Sequence, residues 1–253
     1  MKPRALDLFC SAGGATKGLQ QAGFHVTGVD INPQPHYCGD AFIQADALTF
    51  PLRGFDFIWA SPPCQRYCLL AFKNHNAHEH PALIRPIRKR LIASGIPYVI
   101  ENVMGAIGHM RKPVKLCGTM FGMGIPEAQL WRHRLFESPI PLTAPRGCSH
   151  RGSPVGVYGR GGGDNRRFGV IAVTGHTGGC RKRGNLQQYN VHQRSEAMGI
   201  DWMTNAELSQ AIPPAYARLI GKQAMRFILR EGRFAMAYRA TGRPIFAAYR
   251  ERR

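Results

Sequence analysis

Cys64, in the segment "WASPPCQRYC", has the chemistry and the setting of a nucleophile. Pro62 and Pro63 precede it and stiffen the backbone after the apolar run "GFDFIWA", which predicts a buried strand. Most free cysteines are small buried hydrophobic residues, so the position of Cys64 matters more than its type. An ordinary thiol has a pKa of about 8.5, and nearby arginines, a helix N-terminus or a base would raise its thiolate fraction. A rigid turn at a strand end can aim the sulfur into a crevice.

Glu101 ends the next apolar run, "PYVIENV", and its carboxyl can act as a proton donor. Apolar surroundings disfavour the ionised form of a carboxyl, which raises its pKa and lets it hold a proton near neutral pH. A helix cap or a structural ion pair is the alternative role for Glu101. The residue type and its position after a strand therefore predict a general acid, with a structural role left open.

The segment "DLFCSAGGATKG" places Gly13, Gly14 and Gly18 between a predicted strand and a predicted helix. Glycines at such a turn allow a ligand to approach the backbone and the N-terminus of the helix. Asp30 ends the next strand, "HVTGVDI", where a carboxylate can bind ribose hydroxyls. Together they predict a nucleoside-containing cofactor, either a dinucleotide or S-adenosylmethionine, although the spacing is not G-x-G-x-x-G. A tight turn with Asp30 as a helix cap is the alternative.

Positioning these residues requires strands that alternate with helices. Short apolar runs end near Phe9, Asp30, Asp46, Cys64 and Glu101, and helical patterns lie between several of them. The predicted fold class is α/β, with a doubly wound, mostly parallel, Rossmann-like sheet. Ligands of such sheets bind beyond the carboxyl ends of the strands, which is where all these side chains fall.

Other segments predict the surroundings of this sheet. The segment "PALIRPIRKRLIASG" predicts a helix with Leu83, Ile87 and Leu91 on one face and basic residues on the opposite face. From about Glu137 onward, glycine and arginine become frequent and helical periodicity is absent. This change in texture predicts a small, loop-rich second lobe.

The 253 residues carry a formal net charge of +19, and its distribution is uneven. Residues 1–66 hold five Lys/Arg and five Asp/Glu, whereas residues 137–190 hold eight and two. This pattern favours a small-molecule site in the neutral N-terminal segment and a polyanion bound by the basic remainder of the chain. Seven cysteines without paired spacing favour a reducing compartment, and no segment has the composition of a membrane span or a signal peptide. We therefore expect a soluble, cytoplasmic protein.

Five segments occur in an informative order: "DLFCSAGG", "GVDINP", "SPPCQ", "ENV" and "WRHR". Together they resemble the DNA (cytosine-5) methyltransferase family, strongly over residues 4–136 and more loosely over residues 191–230. The resemblance implies a catalytic and cofactor-binding domain of residues 1–136 and 191–230, a target-recognition lobe of residues 137–190 and a basic tail of residues 231–253. The compact size and the absence of regulatory domains suggest a prokaryotic or phage origin.

The resemblance implies a covalent mechanism on a flipped-out cytosine. Cys64 would add to carbon 6 while Glu101 holds a proton on ring nitrogen 3, and carbon 5 would then take the methyl group. Loss of the carbon-5 proton would expel Cys64, and none of this chemistry is possible inside a stacked duplex. Arg132 and Arg134 match the arginines of the family's Gln-x-Arg-x-Arg pattern, which bind the flipped base and the adjacent phosphate, although Leu130 stands at the glutamine position.

The implied cofactor is S-adenosyl-L-methionine. Phe9 falls at the family's adenine-stacking position, Asp30 at the ribose-binding acid and Asp46 near the adenine amino group. Gln210, in "SQAIPP", replaces an asparagine that lies near the methionine portion. The residues expected to bind the cofactor are Phe9, Ser11, Ala12, Gly13, Gly14, Asp30, Ile31, Asp46, Ala47, Pro63 and Gln210.

The implied partner is double-stranded DNA, bound by a monomer. The segment after Cys64, "QRYCLLAFKNHNAHEH", stands where the family has a mobile loop that closes over DNA, and Cys68 stands where the family commonly has serine. The small size of the recognition lobe favours a short target sequence. The residues expected to contact DNA are Gln65, Arg160, Arg166, Arg167, Arg181 and Arg183.

Several alternatives stay open. A catalytically idle DNA-binding relative is one, and an RNA substrate is another, although the Cys-Phe-Thr tripeptide of the family's transfer-RNA branch is absent. A dinucleotide oxidoreductase would leave "PPCQ" unexplained. Zinc is a further candidate, because four residues could supply its ligands, but their spacing does not match C-x-x-C, and no metal is predicted. Those four residues are Cys148, His150, His176 and Cys180.

Overall fold

The computed structural model describes residues 1–68, 77–151, 153–155 and 189–241 of the chain. The strands are β1 (Arg4–Leu8), β2 (His25–Asp30), β3 (Ala41–Gln44), β4 (Phe57–Ala60), β5 (Tyr98–Asn102), β6 (Val114–Leu116), β7 (Gly124–Ile125), β8 (Ala128–Leu130), β9 (Arg134–Glu137) and β10 (Ser153–Val155). The α-helices are α1 (Gly14–Gln21), α2 (Ile84–Ser94), α3 (Val191–Met198), α4 (Asn205–Gln210) and α5 (Pro214–Thr241). None of the helices in these described ranges is long and apolar enough to cross a membrane.

A seven-stranded sheet forms the centre, in the order β3-β2-β1-β4-β5-β9-β6. Strands β1 to β5 pair in parallel, and β9 lies antiparallel between β5 and β6. The predicted doubly wound, mostly parallel α/β fold is confirmed. The strand order reverses direction between β1 and β4, and this switch point opens a crevice at the carboxyl ends of the strands.

Alternating apolar residues of the central strands fill two separate cores. Phe57 and Trp59 of β4 point into one core, while Ile58 and Ala60 point into the other. Helices α1 and α5 cover the first core, and α2 covers the second. The central strands β1, β4 and β5 are therefore buried on both faces, which explains why they read as nearly continuous apolar runs.

Helices α1 and α5 approach each other closely through glycine. A Cβ atom on Gly18 would collide with the backbone of Pro214 and Arg218, and one on Gly221 would collide with Ala22. Only glycine permits this separation of the two helix backbones. The last described helix thus completes a core that begins at the first helix of the chain.

The helix predicted from "PALIRPIRKRLIASG" differs from its expectation at two positions. Leu83 is the N-cap and is only half-buried, while Ile87 and Leu91 are fully buried as predicted. Arg88, which periodicity assigns to the basic outer face, is buried instead. Its Nε and Nη2 lie 2.5 and 2.6 Å from the two carboxylate oxygens of Glu137 in β9, and this bidentate pairing offsets the cost of burying both charges.

The second sheet joins residues from both sides of the predicted lobe boundary at residue 137. Its order is β10-β8-β7, and β10 pairs in parallel with β8. Glu137 itself belongs to the central sheet, and α5 continues from Pro214 to Thr241, past the predicted start of the tail at residue 231. The exact domain boundaries stay a prediction.

Candidate active site

Sheet topology brings three predicted catalytic residues to one edge. Cys64 follows the end of β4, and Glu101 lies near the end of β5, its parallel neighbour. Arg134 begins β9, which runs antiparallel to β5, so its first residue lies at the same edge. The carboxyl ends of two strands and the amino end of a third therefore converge on one crevice.

Cys64 has a free, half-buried thiol at the start of a short 3-10 turn, Gln65–Tyr67. Its carbonyl oxygen accepts a hydrogen bond from the backbone N–H of Tyr67 at 2.9 Å. Burial raises the pKa of the Cys64 thiol above its ordinary value, Arg134 lowers it, and Glu101 raises it again. Arg134 therefore acts in the direction expected from the sequence, but burial outweighs it, and the thiol is protonated at rest.

Glu101 is buried and pairs with Arg134, whose Nε lies 3.1 Å from Oε1 of Glu101. Burial raises the pKa of Glu101, while the charge of Arg134 and a hydrogen bond with Ser61 oppose the shift. The net direction is upward, as expected for a group that must hold a proton. The Ser61 hydroxyl accepts a hydrogen bond from Nε1 of Trp59 at 2.8 Å, which orients it towards the carboxyl group.

Arg132 is 1% exposed and holds the "SQAIPP" segment against the site. Its Nη2 donates to the carbonyl oxygens of Ser209 at 2.9 Å and Ala211 at 2.6 Å. The hydroxyl of Tyr216 donates in turn to the carbonyl oxygen of Arg132 at 2.6 Å. These contacts give Arg132 a positioning role, in addition to the base or phosphate contact that the sequence predicts.

The position of the glutamine in the Gln-x-Arg-x-Arg pattern is occupied by a residue that packs in a core. Leu130, which takes its place, is fully buried in an apolar cluster with Ala12. Oε1 of the neighbouring Gln129 accepts hydrogen bonds from Nε1 of Trp131 at 3.2 Å and from the backbone N–H of Arg151 at 2.9 Å. The side chain of Gln129 therefore stabilises the region of the second sheet.

The turn after β1, predicted to bind the cofactor, has an unusual backbone. Phe9 and Ser11 have positive φ angles of 62° and 45°, and Gly13 has a φ of 88°. Asp30 holds this turn, because its Oδ2 accepts the N–H of Ser11 and its Oδ1 the N–H of Asn32, both at 3.0 Å. Left-handed non-glycine residues are costly and often occur at ligand sites.

The two glycines of this turn make close protein contacts. A Cβ atom on Gly14 would lie 2.5 Å from the carbonyl oxygen of Ile212, and one on Gly13 would lie 2.9 Å from the sulfur of Cys38. The backbone of Ile212 therefore occupies the space beside Gly14 where a side chain would lie, and the predicted contact of Gly14 with a cofactor stays a prediction. Its backbone N–H still lies at the start of α1.

The remaining predicted cofactor residues differ in exposure. Oδ1 of Asp46 caps its own turn by accepting the N–H of Leu48 at 2.8 Å, and the carbonyl oxygen of Ala12 accepts Nε1 of Trp202 at 2.9 Å. Gln210 is exposed at the end of α4. Ile31 and Asp46 are exposed, Phe9 and Pro63 are half-buried, and Ala12 and Ala47 are buried.

Comparison with known proteins identifies the architecture. A structure from E. coli named as a DNA modification methyltransferase encoded within a prophage is 13% identical, with a TM-score of 0.53 over 90% of this chain and 99% of that chain. The S. pombe Dnmt2 methyltransferase is 13% identical, with a TM-score of 0.52 over 91% and 99%. No protein-family model and no curated protein matches the sequence. The chain has a methyltransferase fold.

Of the six residues predicted to contact DNA, one lies in the part of the chain that the structure describes. Gln65 is exposed directly after Cys64. The other five residues predicted to contact DNA lie outside the described residues: Arg160, Arg166, Arg167, Arg181 and Arg183. Residues 69–76 of the predicted closing loop and the zinc candidates His176 and Cys180 also lie outside them.

Sequence reasoning missed two supporting residues within its own motifs. Ser61 of "SPPCQ" contacts Glu101, and Asn102 of "ENV" donates from Nδ2 to the carbonyl oxygen of Pro62 at 2.9 Å. Both motifs were identified by their reactive residues alone. The signal that could have revealed the supporting pair is the presence of short polar residues in otherwise apolar strand ends.

Proposed function

We propose that this chain is a DNA (cytosine-5-)-methyltransferase, which transfers a methyl group from S-adenosyl-L-methionine to carbon 5 of a cytosine in DNA. The arrangement of Cys64, Glu101 and Arg134 at one edge of the sheet carries the proposal. Arg134 contacts Glu101, and its charge acts on Cys64, so the three groups share one crevice. A thiol, a carboxyl that holds its proton and a fixed guanidinium are the groups that addition to a pyrimidine requires.

Each group has a defined step. Cys64 releases its proton to solvent, and a sulfur lone pair forms a bond to carbon 6 of cytosine. Glu101 protonates ring nitrogen 3, so the electron pair of the carbon 5–carbon 6 double bond becomes nucleophilic at carbon 5 without leaving a charged ring. The methyl group would then pass to carbon 5, with S-adenosyl-L-homocysteine as the leaving group. A base removes the carbon-5 proton, the double bond forms again, the carbon 6–sulfur bond breaks to release the thiolate of Cys64, and ring nitrogen 3 returns its proton to Glu101.

The electrostatics of the site match these roles. Burial favours the protonated form of Glu101 and also of Cys64, so the sulfur must give up its proton when the cytosine enters the crevice. The charge of Arg134 lowers the pKa of both groups and reduces the cost of forming the thiolate. Arg134 also fixes the carboxyl of Glu101 so that its proton is transferred to one ring atom, nitrogen 3.

The chemistry of the turn after β1 fits the cofactor, which supplies an electrophilic methyl group when bound. Asp30 has carboxylate lone pairs beyond those used by Ser11 and Asn32, and these would accept hydrogen bonds from ribose hydroxyls. The half-buried ring of Phe9 would stack on the adenine. Gln210, exposed on the adjoining α4, would contact the methionine portion.

Charge supports DNA as the substrate. The net charge of +19 is concentrated outside the neutral first 66 residues, as expected for a protein that binds phosphates. The E. coli protein that shares the fold is named as a DNA modification methyltransferase. Carbon 5 and carbon 6 of a stacked base are inaccessible, so the cytosine must flip out to reach Cys64.

Transfer of tritium from labelled S-adenosylmethionine to mixed-sequence double-stranded DNA tests the proposal. We expect label in DNA and none in a parallel sample of transfer RNA. Cys64→Ser should abolish incorporation while DNA binding persists, and Cys68→Ser, four residues away, should retain it. Tight DNA binding without incorporation by the wild-type chain, or turnover by Cys64→Ser, would contradict the proposal, and label in RNA alone would reassign the substrate.

A further inference from the structure

Three potential metal ligands from distant parts of the chain meet beside the second sheet. They are Cys117, which is buried, His133, which is half-buried, and His150, which is exposed. One ligand atom from each residue lies within 4.8 Å of the other two. The thiol of Cys117 and Nε2 of His150 are 3.4 Å apart, and the rings of His133 and His150 meet edge to face with centroids 4.9 Å apart.

These distances are close to those of a metal site. With bonds of about 2.3 Å to sulfur and about 2.0 to 2.1 Å to nitrogen, a tetrahedral Zn²⁺ would hold a sulfur and a nitrogen about 3.6 Å apart. The observed separation of Cys117 and His150 therefore requires little adjustment. One thiolate and two imidazoles, with no carboxylate, form a donor set that favours zinc over magnesium or calcium.

Surrounding groups hold two of the three ligands in place. The hydroxyl of Thr119 donates to the sulfur of Cys117 at 3.4 Å, and the ring of Trp131 stacks on that of His150 with centroids 4.4 Å apart. The backbone N–H of Ser149 donates to the same hydroxyl of Thr119 at 3.3 Å. These contacts restrict the positions of Cys117 and His150 relative to each other.

The three ligands connect parts of the chain with different roles. Cys117 follows β6, and His133 lies between Arg132 and Arg134 of the candidate active site. His150 lies just before β10, in the first part of the predicted recognition lobe of residues 137–190. An ion bound here would join that part of the lobe to the segment that carries the two site arginines.

We propose that Cys117, His133 and His150 bind one divalent cation, most suitably Zn²⁺. The bound ion holds the first part of the predicted recognition lobe against the catalytic sheet. On binding, the sulfur of Cys117 forms a bond to the ion and releases its proton to solvent. This site differs from the four ligands considered from sequence, since of those only His150 belongs to it. The proposal does not depend on methyltransferase activity.

Metal analysis of the purified full-length chain tests the site. We expect about one zinc per chain by mass spectrometry after dialysis, or after reconstitution with Zn²⁺ of chelator-treated protein. Co²⁺ substitution should produce a thiolate-to-cobalt charge-transfer absorption together with visible bands of tetrahedral intensity. Zinc content below a tenth of an ion per chain after reconstitution, with no cobalt absorption, would overturn the proposal.

Single variants locate the ligands. Cys117→Ser should remove the charge-transfer absorption. His150→Ala removes a ligand and should weaken Zn²⁺ affinity by at least the roughly ten- to hundredfold that loss of an outer-shell partner costs. Because Cys117 is buried and its replacement can disturb packing, the exposed His150 provides the decisive variant. The controls Cys68→Ser and His25→Ala should bind as the wild type does. Unchanged Zn²⁺ affinity in His150→Ala would refute the ligand set.

Discussion

The buried side chain of Asn102 donates a hydrogen bond from Nδ2 to the carbonyl oxygen of Pro62, and the two atoms are 2.9 Å apart. Asn102 follows Glu101 in β5, and Pro62 precedes the turn that carries Cys64. One amide therefore sets the distance between the strand of the proton donor and the loop of the nucleophile. Its Oδ1 is also used, because it accepts the backbone N–H of Val103 at 3.0 Å.

Replacement of Asn102 by aspartate should separate these two contacts. The aspartate keeps the acceptor for Val103 but loses the donor to Pro62, and it places a buried carboxylate against that carbonyl. The free energy of unfolding should therefore fall by more than the roughly 1 to 3 kcal/mol that one unsatisfied buried group costs. Urea unfolding measures this loss, and single-turnover methyl transfer should slow because Cys64 is no longer fixed. A wild-type methyl-transfer rate in Asn102→Asp would show that the tether is not needed.

The pKa of Cys64 should respond in opposite directions to its two charged neighbours. Arg134→Ala should raise the thiol pKa, since the guanidinium lowers it, and Glu101→Gln should lower it, since the carboxylate raises it. The rate of iodoacetamide alkylation of Cys64 as a function of pH reports both shifts. Arg111→Ala, at an exposed position, is the control, and equal midpoints in all four proteins would exclude this coupling.

The Arg88–Glu137 pair should matter for stability and much less for chemistry. Glu137→Leu leaves a buried guanidinium without its carboxylate, and Arg88→Met leaves a buried carboxylate without its guanidinium, so each should lower the free energy of unfolding by about 3 to 5 kcal/mol. The double variant Arg88→Met/Glu137→Leu leaves neither charge unpaired and should recover part of that loss. Urea unfolding of both single variants and the double variant forms the cycle. Strictly additive losses would argue against a coupled pair.

Asp7 should make the chain less stable as the pH rises. Burial raises the pKa of Asp7 from 3.8 to about 7, against the opposing effect of its hydrogen bond with Thr16. Between these pH values the folded chain holds a proton that the unfolded chain has released, so the free energy of unfolding falls as pH rises, by up to about 4 kcal/mol at 1.36 kcal/mol per pKa unit.

The variant Asp7→Asn removes this titration. Its unfolding free energy, measured in urea from pH 4.5 to pH 8, should depend less steeply on pH than that of the wild type. Other carboxyl groups titrate in both proteins, so the difference between the two curves isolates Asp7. Parallel curves would assign the dependence to other groups.

Local patterns predict the parallel strands β1 to β5, because these are short runs with apolar residues, and Cys64 and Glu101 lie just after or near the end of two of them. The antiparallel strands β6 and β9 do not follow from these patterns. The turn prolines and the apolar surroundings of Glu101 likewise act within a few residues of the groups they influence. The position of Arg88 could not be predicted in this way, because its partner Glu137 lies 49 residues away on another element. Helical periodicity alone places Arg88 in solvent.

The metal cluster illustrates the same limit. Cys117, His133 and His150 share no short motif, and only the pairing of β5, β9 and β6 brings Cys117 near His133. The sequence likewise gives no sign that Gly14 is in close contact with the backbone of Ile212, which lies 198 residues further along the chain. Long-range contacts of this kind follow from the complete fold.

The glycine-mediated contact of α1 with α5 has a consequence for synthesis of the protein. A ribosome has made every strand of the central sheet once it passes Glu137, yet α5, which covers one face together with α1, begins only at Pro214. At typical translation rates the nascent chain carries that partly covered apolar face for roughly 4 to 15 seconds. The long middle segment therefore acts as a delay, during which chaperones or neighbouring nascent chains compete with α5 for the same surface.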